Sequence, residues 1–134
     1  MTRDQQKSLI ERLHALWNTG DLTAVRDVYS PDFIVHWPER KLSRGHDGAE
    51  AAIRKTRTAF PDWYEKVVDM VVEGDRVVTR YVSTGTHKGS YKGIQPTGAH
   101  VEIDEISIYR IERGMVAEQW CLFDDVALMR QLGR

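Results

Sequence analysis

The chain has 134 residues, and its 19 Lys and Arg against 20 Asp and Glu leave a net charge of −1. That is the length of one domain, and its balanced charge offers no field to draw in nucleic acid or an anionic membrane. The N-terminal stretch MTRDQQKSLIERL is too charged for a signal peptide, and no apolar run reaches the ~18 residues of a membrane span, so a cytoplasmic protein is expected.

Thr2 with Gln5 three residues on reads as a capping box opening a helix over 3–18, with an inward stripe of Leu9, Ile10, Leu13, Leu16 and Trp17. Asn18-Thr19-Gly20-Asp21 ends it and caps a second, short helix carrying Leu22, Val25, Val28 and Tyr29, which Pro31 stops. A first strand follows over 33–37. Asp47 with Glu50 caps a third helix, with Ala49, Ala52, Ile53, Thr56 and Phe60 inward and Arg54, Lys55 and Arg57 on a solvated face; Pro61-Asp62 breaks it.

The rest is rich in valine, isoleucine, tyrosine and threonine, with strands expected at 63–73, 76–88, 100–112 and 115–123. A Gly/Pro loop at 89–99 interrupts them, and Asp124 or Asp125 caps a final helical turn with Leu128, Met129 and Leu132. The order predicts a single α+β domain over 1–134, whose curved, mostly antiparallel sheet wraps the helices.

The last hairpin can be placed more closely. A three-residue loop, Glu112-Arg113-Gly114, with Gly114 left-handed, sets Ile111 opposite Met115, Tyr109 opposite Ala117, Ser107 opposite Gln119, and Glu105 opposite Cys121. Period-two alternation puts Val101, Ile103, Glu105, Ser107, Tyr109 and Ile111 on one face, joined by Ala117, Gln119, Cys121 and Phe123. Glu105 is the anomaly, a carboxyl group among apolar neighbours. Either a bulge or an arginine returns it to a polar setting, or it lies in an apolar pocket where lost hydration raises its pKa toward acid/base use. The opposite face, with Ile106, Ile108, Trp120 and Leu122 inside a charged rim of Glu102, Asp104, Arg110 and Glu118, suits a homodimer interface.

Cys121 is the only cysteine, so no internal disulfide forms, and no Cys or His spacing fits a structural zinc site. A carboxyl group opposite it favours the neutral thiol, so Cys121 reads as a small apolar wall residue rather than a nucleophile. His36 is open between a structural and a pocket-lining role. In GTHKGSYKG, which includes His87 and Tyr91, the glycines lack the strand-to-helix context of a phosphate loop and suit a flexible loop or lid at a cavity mouth.

Taken together, WNTGD (17–21), PDFIVHW (31–37), FPDW (60–63), EGDRV (73–77), GTHKGSYKGIQPTG (85–98) and the ending IYRIERGMVAEQWCLFDDVALMRQLG (108–133) resemble the SnoaL-like polyketide cyclase family, within the nuclear transport factor 2-like cone folds. The resemblance implies a cone with three N-terminal helices, a short C-terminal helix and a cavity for a small, largely apolar ligand. In characterised cyclases an aldol ring closure proceeds there without metal or organic cofactor, using a carboxylate on the last strand. The positions that match that carboxylate and its histidine neighbours hold Cys121, Ser107 and Gln119, and an asparagine of the first strand corresponds to Val35.

The expected pocket is therefore Trp17, His36, Phe60, Ser107, Tyr109, Gln119, Cys121 and Phe123, with Glu105 as the substitute acid/base and no metal or cofactor. Two functions stay open at this point: a cyclase- or isomerase-like enzyme acting on a carbonyl compound, and a non-catalytic binding or dimerisation module. A hydroxylation partner protein is a further alternative.

Overall fold

The computed structural model describes all 134 residues, Met1–Arg134. Helix α1 (Arg3–Thr19) opens on the expected box: Thr2 Oγ1 accepts from the Gln5 amide, and the Gln5 side chain accepts from the Thr2 amide. Gly20 closes it with a left-handed φ of 73°, its amide bonding back to the Leu16 carbonyl. Leu9, Ile10, Leu13 and Leu16 are all buried, which removes each aliphatic side chain from water for about 2 kcal/mol. The same inward stripe carries His14 and, toward its start, Gln6.

A 3-10 turn at Leu22–Ala24 leads into the one-turn helix α2 (Val25–Val28) and then strand β1 (Tyr29–His36). Pro31 does not end the helix; it lies inside β1, where the pairing with β6 is interrupted between Tyr29 and Ile34 and no ladder amide is needed. The chain then adds a strand the sequence reading lacked, β2 (Leu42–Arg44), which pairs antiparallel with β1. Helix α3 (Gly45–Ala59) starts three residues earlier than expected, with Arg44 at its cap position, so Asp47 sits in the first turn instead of capping it. Ala49 and Ile53 pack inward from α3.

Arg57 corrects another expectation. Its guanidinium donates to the backbone carbonyls of Trp17, Asn18, Trp63 and Pro61, at 2.8 to 3.0 Å. It faces the spent end of α1 and the turn after α3, where carbonyls without helical partners collect, and so it is a staple between elements.

Strands β3 (Tyr64–Glu73), β4 (Arg76–Thr86), β5 (His100–Glu112) and β6 (Met115–Phe123) complete a six-stranded sheet in the order β2-β1-β6-β5-β4-β3. Only the β1–β6 pair is parallel. Helix α4 (Asp125–Gln131) follows, capped by Asp124, whose carboxylate accepts from the Ala127 amide.

The β5–β6 register differs from the expected one by two residues: Ser107 faces Cys121, Tyr109 faces Gln119, and Glu105 faces Phe123. The turn has two residues, Arg113 and Gly114, both at positive φ (53° and 76°), with Glu112 paired to Met115. Ala117 is then an extra residue in β6, because Ile111 pairs with Val116 while Arg110 pairs with Glu118. The shorter turn reverses side-chain parity and the bulge restores it, so the faces come out as expected.

The Gly/Pro segment is held closely and is not a free loop. The His87 amide donates to the Ala99 carbonyl and the His87 carbonyl accepts from the Gly98 amide, which closes the segment's two ends on each other, and the amides of Lys88 and Gly89 donate to the Ala59 carbonyl. A Cβ on Gly89 would meet the Thr58 carbonyl oxygen at 2.1 Å, so only glycine allows this approach.

Candidate functional site

The concave face of the sheet and the helices enclose a cavity of about 430 Å³. Trp17, Phe60, Trp63, Ile103, Phe123 and Leu128 give it apolar walls. The charged lining residues that are exposed to solvent, Glu39, Lys41, Lys55 and Lys92, mark its mouth, together with exposed Leu42 and Ala51. Of the residues singled out in the sequence, Trp17, Phe60, Glu105, Tyr109, Gln119, Cys121 and Phe123 line this space.

Ser107 lies one layer behind. It is fully buried and accepts from Gln119 Nε2 at 3.1 Å while its hydroxyl meets the Tyr81 hydroxyl at 2.9 Å. It therefore orients two cavity-lining groups. His36 is outside the cavity altogether. The alternation of β1 turns Val35 inward, and His36 sits on the outer face, with Nε2 2.7 Å from Glu118 Oε2 and its ring stacked on Trp120 at 5.3 Å. His87 is also absent from the cavity lining. It is buried beside Phe60, with Nδ1 accepting from the Thr97 amide and Nε2 without a partner.

Glu105 is buried, with 6% of its surface exposed, and no arginine or lysine pairs with it. Its one side-chain hydrogen bond comes from the Ser83 hydroxyl, donated to Oε2. Burial, and then the nearby Glu65 carboxylate, push its pKa up to about 8, against the opposing pull of the Ser83 hydrogen bond. The other titratable groups facing it are Tyr81, Cys121 and Tyr91, each held toward its neutral form mainly by burial. The Cys121 thiol is pushed well up, first by burial and then by Glu105, and it lies 3.8 Å from the Tyr81 hydroxyl. A neutral, buried thiol without a cation beside it is not an activated nucleophile.

The sequence reading missed the second polar cluster. Glu65 on β3 also lines the cavity; its Oε1 lies 2.7 Å from His14 Nδ1, and its Oε2 accepts from Trp63 Nε1 at 2.9 Å. Asn18 clamps the Glu65 backbone, accepting from its amide at 2.7 Å and donating to its carbonyl at 3.2 Å. His14 Nε2 reaches Thr79 Oγ1 at 3.0 Å and the Tyr109 hydroxyl at 3.2 Å. Two signals were present: His14 follows Ile10 by one helical turn on the core stripe, and Glu65 alternates with inward Trp63. No three His, Cys, Asp or Glu side chains converge in a metal-binding arrangement, and no helix is long and apolar enough to cross a membrane.

The model of the SnoaL-like polyketide cyclase family matches residues 7–132. Among solved structures, IdmH, a candidate polyketide cyclase from Streptomyces antibioticus, is 32% identical, with 97% of this chain and 99% of that chain covered and a TM-score of 0.85. TsrD from Streptomyces laurentii is 32% identical over 99% and 98% of the two chains, with a TM-score of 0.89. AclR, a candidate hydroxylase from Streptomyces galilaeus, is 30% identical over 98% and 83%, with a TM-score of 0.87. No curated protein matches the sequence significantly.

Proposed function

Because the chain belongs to the SnoaL-like polyketide cyclase family, we propose that its cavity binds a small, largely apolar carbonyl compound and enolises it by acid/base chemistry centred on Glu105. One observation carries this reading: a carboxyl group with a single hydroxyl donor opens onto an apolar cavity, where it stays protonated near neutral pH. A carboxylic acid so placed donates its proton to a carbonyl oxygen, and its pKa near the working pH suits it to take the proton back. Gln119, oriented through Ser107, and the Tyr81 hydroxyl supply further hydrogen-bonding groups for the developing enolate oxygen. Cys121 occupies the position that the resemblance gives to the cyclase carboxylate, and Glu105 takes over its role from the neighbouring strand.

The test is exchange of the α-protons of 2-tetralone in D2O, followed by proton NMR. The wild type is expected to exceed the buffer rate, and Glu105→Gln to lose most of that excess. Unchanged exchange in Glu105→Gln removes Glu105 from the mechanism. The neutral Cys121 thiol favours a second reading, a module that binds such compounds without catalysis. In that case 2-tetralone quenches the cavity tryptophans while exchange stays at the buffer rate.

The same proposal includes a homodimer through the outer sheet face. Ile106 and Leu122, 46% and 68% exposed, face each other across β5 and β6 there, and the Ile108–Trp120 pair lies beside them within a charged rim. Leu122→Arg should convert a dimer to a monomer in sedimentation velocity; a wild type that sediments as a monomer at every concentration contradicts the interface.

A further inference from the structure

Glu65 has more partners than a wall residue needs. A buried carboxylate costs several kcal/mol unless it is paired and hydrogen-bonded, and here each oxygen receives a ring N–H, from His14 and from Trp63. The His14 ring is fixed in turn. With its Nδ1–H aimed at the carboxylate, Nε2 is left to accept from the Thr79 or Tyr109 hydroxyl, and the ring edge meets Tyr81 at 4.7 Å. Asn18 locks the backbone beneath. The carboxylate still faces the cavity, and two of its four lone-pair directions remain for something inside it.

Its relation to Glu105 is set by the sheet. Glu65 lies directly opposite Ser83 in the β3–β4 ladder, and the Ser83 hydroxyl donates to Glu105 on β5. The two carboxyl groups thus flank one serine from strands two apart, roughly 10 Å between backbones, and both line the same cavity. Their settings differ in kind. Glu65 has two aromatic N–H donors and Glu105 one hydroxyl, and the charge on the first raises the pKa of the second.

We propose that Glu65, aimed by His14 and Trp63, is the proton acceptor of the cavity, and that Glu105 is the acid working opposite it. This rests on the enolisation reading above and names the missing base. As the α-C–H bond breaks, its proton passes to a Glu65 oxygen and its electron pair becomes the enol double bond. The carbonyl π pair moves to oxygen, which takes the proton from Glu105. The enol carbon then attacks an electrophilic carbonyl carbon of the same molecule, whose π pair moves to its oxygen and takes the proton held by Glu65, or is itself reprotonated by Glu65. In both cases the enol O–H returns its proton to Glu105 as the first carbonyl re-forms, and no electrons leave the ligand. His14 and Trp63 are positioning residues, since they act through Glu65.

The test uses the full chain and the same 2-tetralone exchange. Glu65→Gln is expected to reduce exchange about 100-fold or more, the contribution of a positioned base. Should that variant not fold, Glu65→Asp serves: it keeps the charge, withdraws the oxygens by one methylene, and should still lose most of the rate. His14→Leu should lower the rate and leave the half-saturating tetralone concentration unchanged, while His14→Asn, which retains an N–H for the carboxylate, recovers part of it. Exchange within threefold of wild type in folded Glu65→Gln or Glu65→Asp overturns the assignment while leaving Glu105 in place. A wild type that exchanges only at the buffer rate overturns the enolisation reading itself, and this assignment with it.

Discussion

Glu105 and Glu118 stand on paired strands of the same hairpin, and the sheet separates their fates. Glu118 is on the outer face, where burial works against its ionisation but His36 at 2.7 Å and Arg110 at 3.2 Å outweigh it and hold its pKa below the usual carboxylate value. Glu105 is on the inner face, with no cation and one hydroxyl donor, and its pKa rises to about 8. One residue type thus becomes a structural anion on one side of a strand pair and a neutral acid on the other. What decides is the supply of cations: the outer face has Arg76, Arg80 and Arg110, while the inner face of the hairpin has none. Period-two alternation therefore separates the paired outer carboxylates from the unpaired inner carboxyl group.

The largest effect should come from abolishing the inner acid. Glu105→Gln is expected to lower 2-tetralone exchange by roughly 100- to 10,000-fold, the range for a positioned acid or base. Glu118→Gln should leave exchange unchanged, and a comparable loss in both variants would break the distinction between the faces.

The second effect is on stability against pH. Glu105 holds its proton in the folded state up to about 8, whereas in the unfolded chain it releases it near 4.5. The folded state then binds more protons across that window, so stability contributed by Glu105 is present below about pH 4.5 and is lost as pH rises toward 8. The thermal midpoint of the wild type should fall relative to that of Glu105→Gln by on the order of 10 °C between pH 5 and 8.5. Parallel curves for the two proteins would show that Glu105 is not a neutral acid in the fold.

A smaller effect is expected at Cys121. Iodoacetamide at pH 8 should fail to label the native thiol, and Cys121→Ala should keep exchange within about threefold while costing about 1 to 2 kcal/mol of packing. Rapid labelling of the folded protein would contradict the neutral, buried thiol.

The smallest effect belongs to the outer face. Glu118→Gln should cost no more than about 1 kcal/mol at pH 7, as partly exposed ion pairs do. With a depressed folded pKa, that stability is present above the unfolded carboxylate pKa and disappears as pH falls through the folded one, so the thermal midpoints of mutant and wild type should converge on acidification.

Much of this division was legible before the fold was. The alternation of β5 alone turned Glu105 inward, and the stripe on α1 and the capping box came out as read. The hairpin register did not, because two local events compensate: a two-residue turn with Arg113 left-handed, and the bulge at Ala117. The consecutive apolar pair Val116-Ala117 carried a trace of the bulge. His36 was ambiguous because one strand residue of three consecutive candidates must face out, and only the paired strands decide which.

Glu65 and His14 were hidden for another reason. They are 51 residues apart, and neither is unusual until β3 is laid along α1. Arg57 looked like part of a solvated row, since helical periodicity counts directions and not the orphan carbonyls that gather where one helix ends beside another. Pairings of distant polar groups leave little mark on periodicity, and here one of them forms the second polar cluster of the cavity.

The proposed chemistry requires Glu105 to be a carboxylic acid at neutral pH. Carbon-13 NMR of protein labelled at the glutamate side-chain carboxyl carbon, titrated from pH 4 to 10 in wild type and Glu105→Gln, tests this most directly. One resonance missing from the variant should titrate with a midpoint near 8. If that resonance instead titrates between 4 and 5 with the surface carboxylates, the cavity holds no acid and the proposed chemistry is wrong.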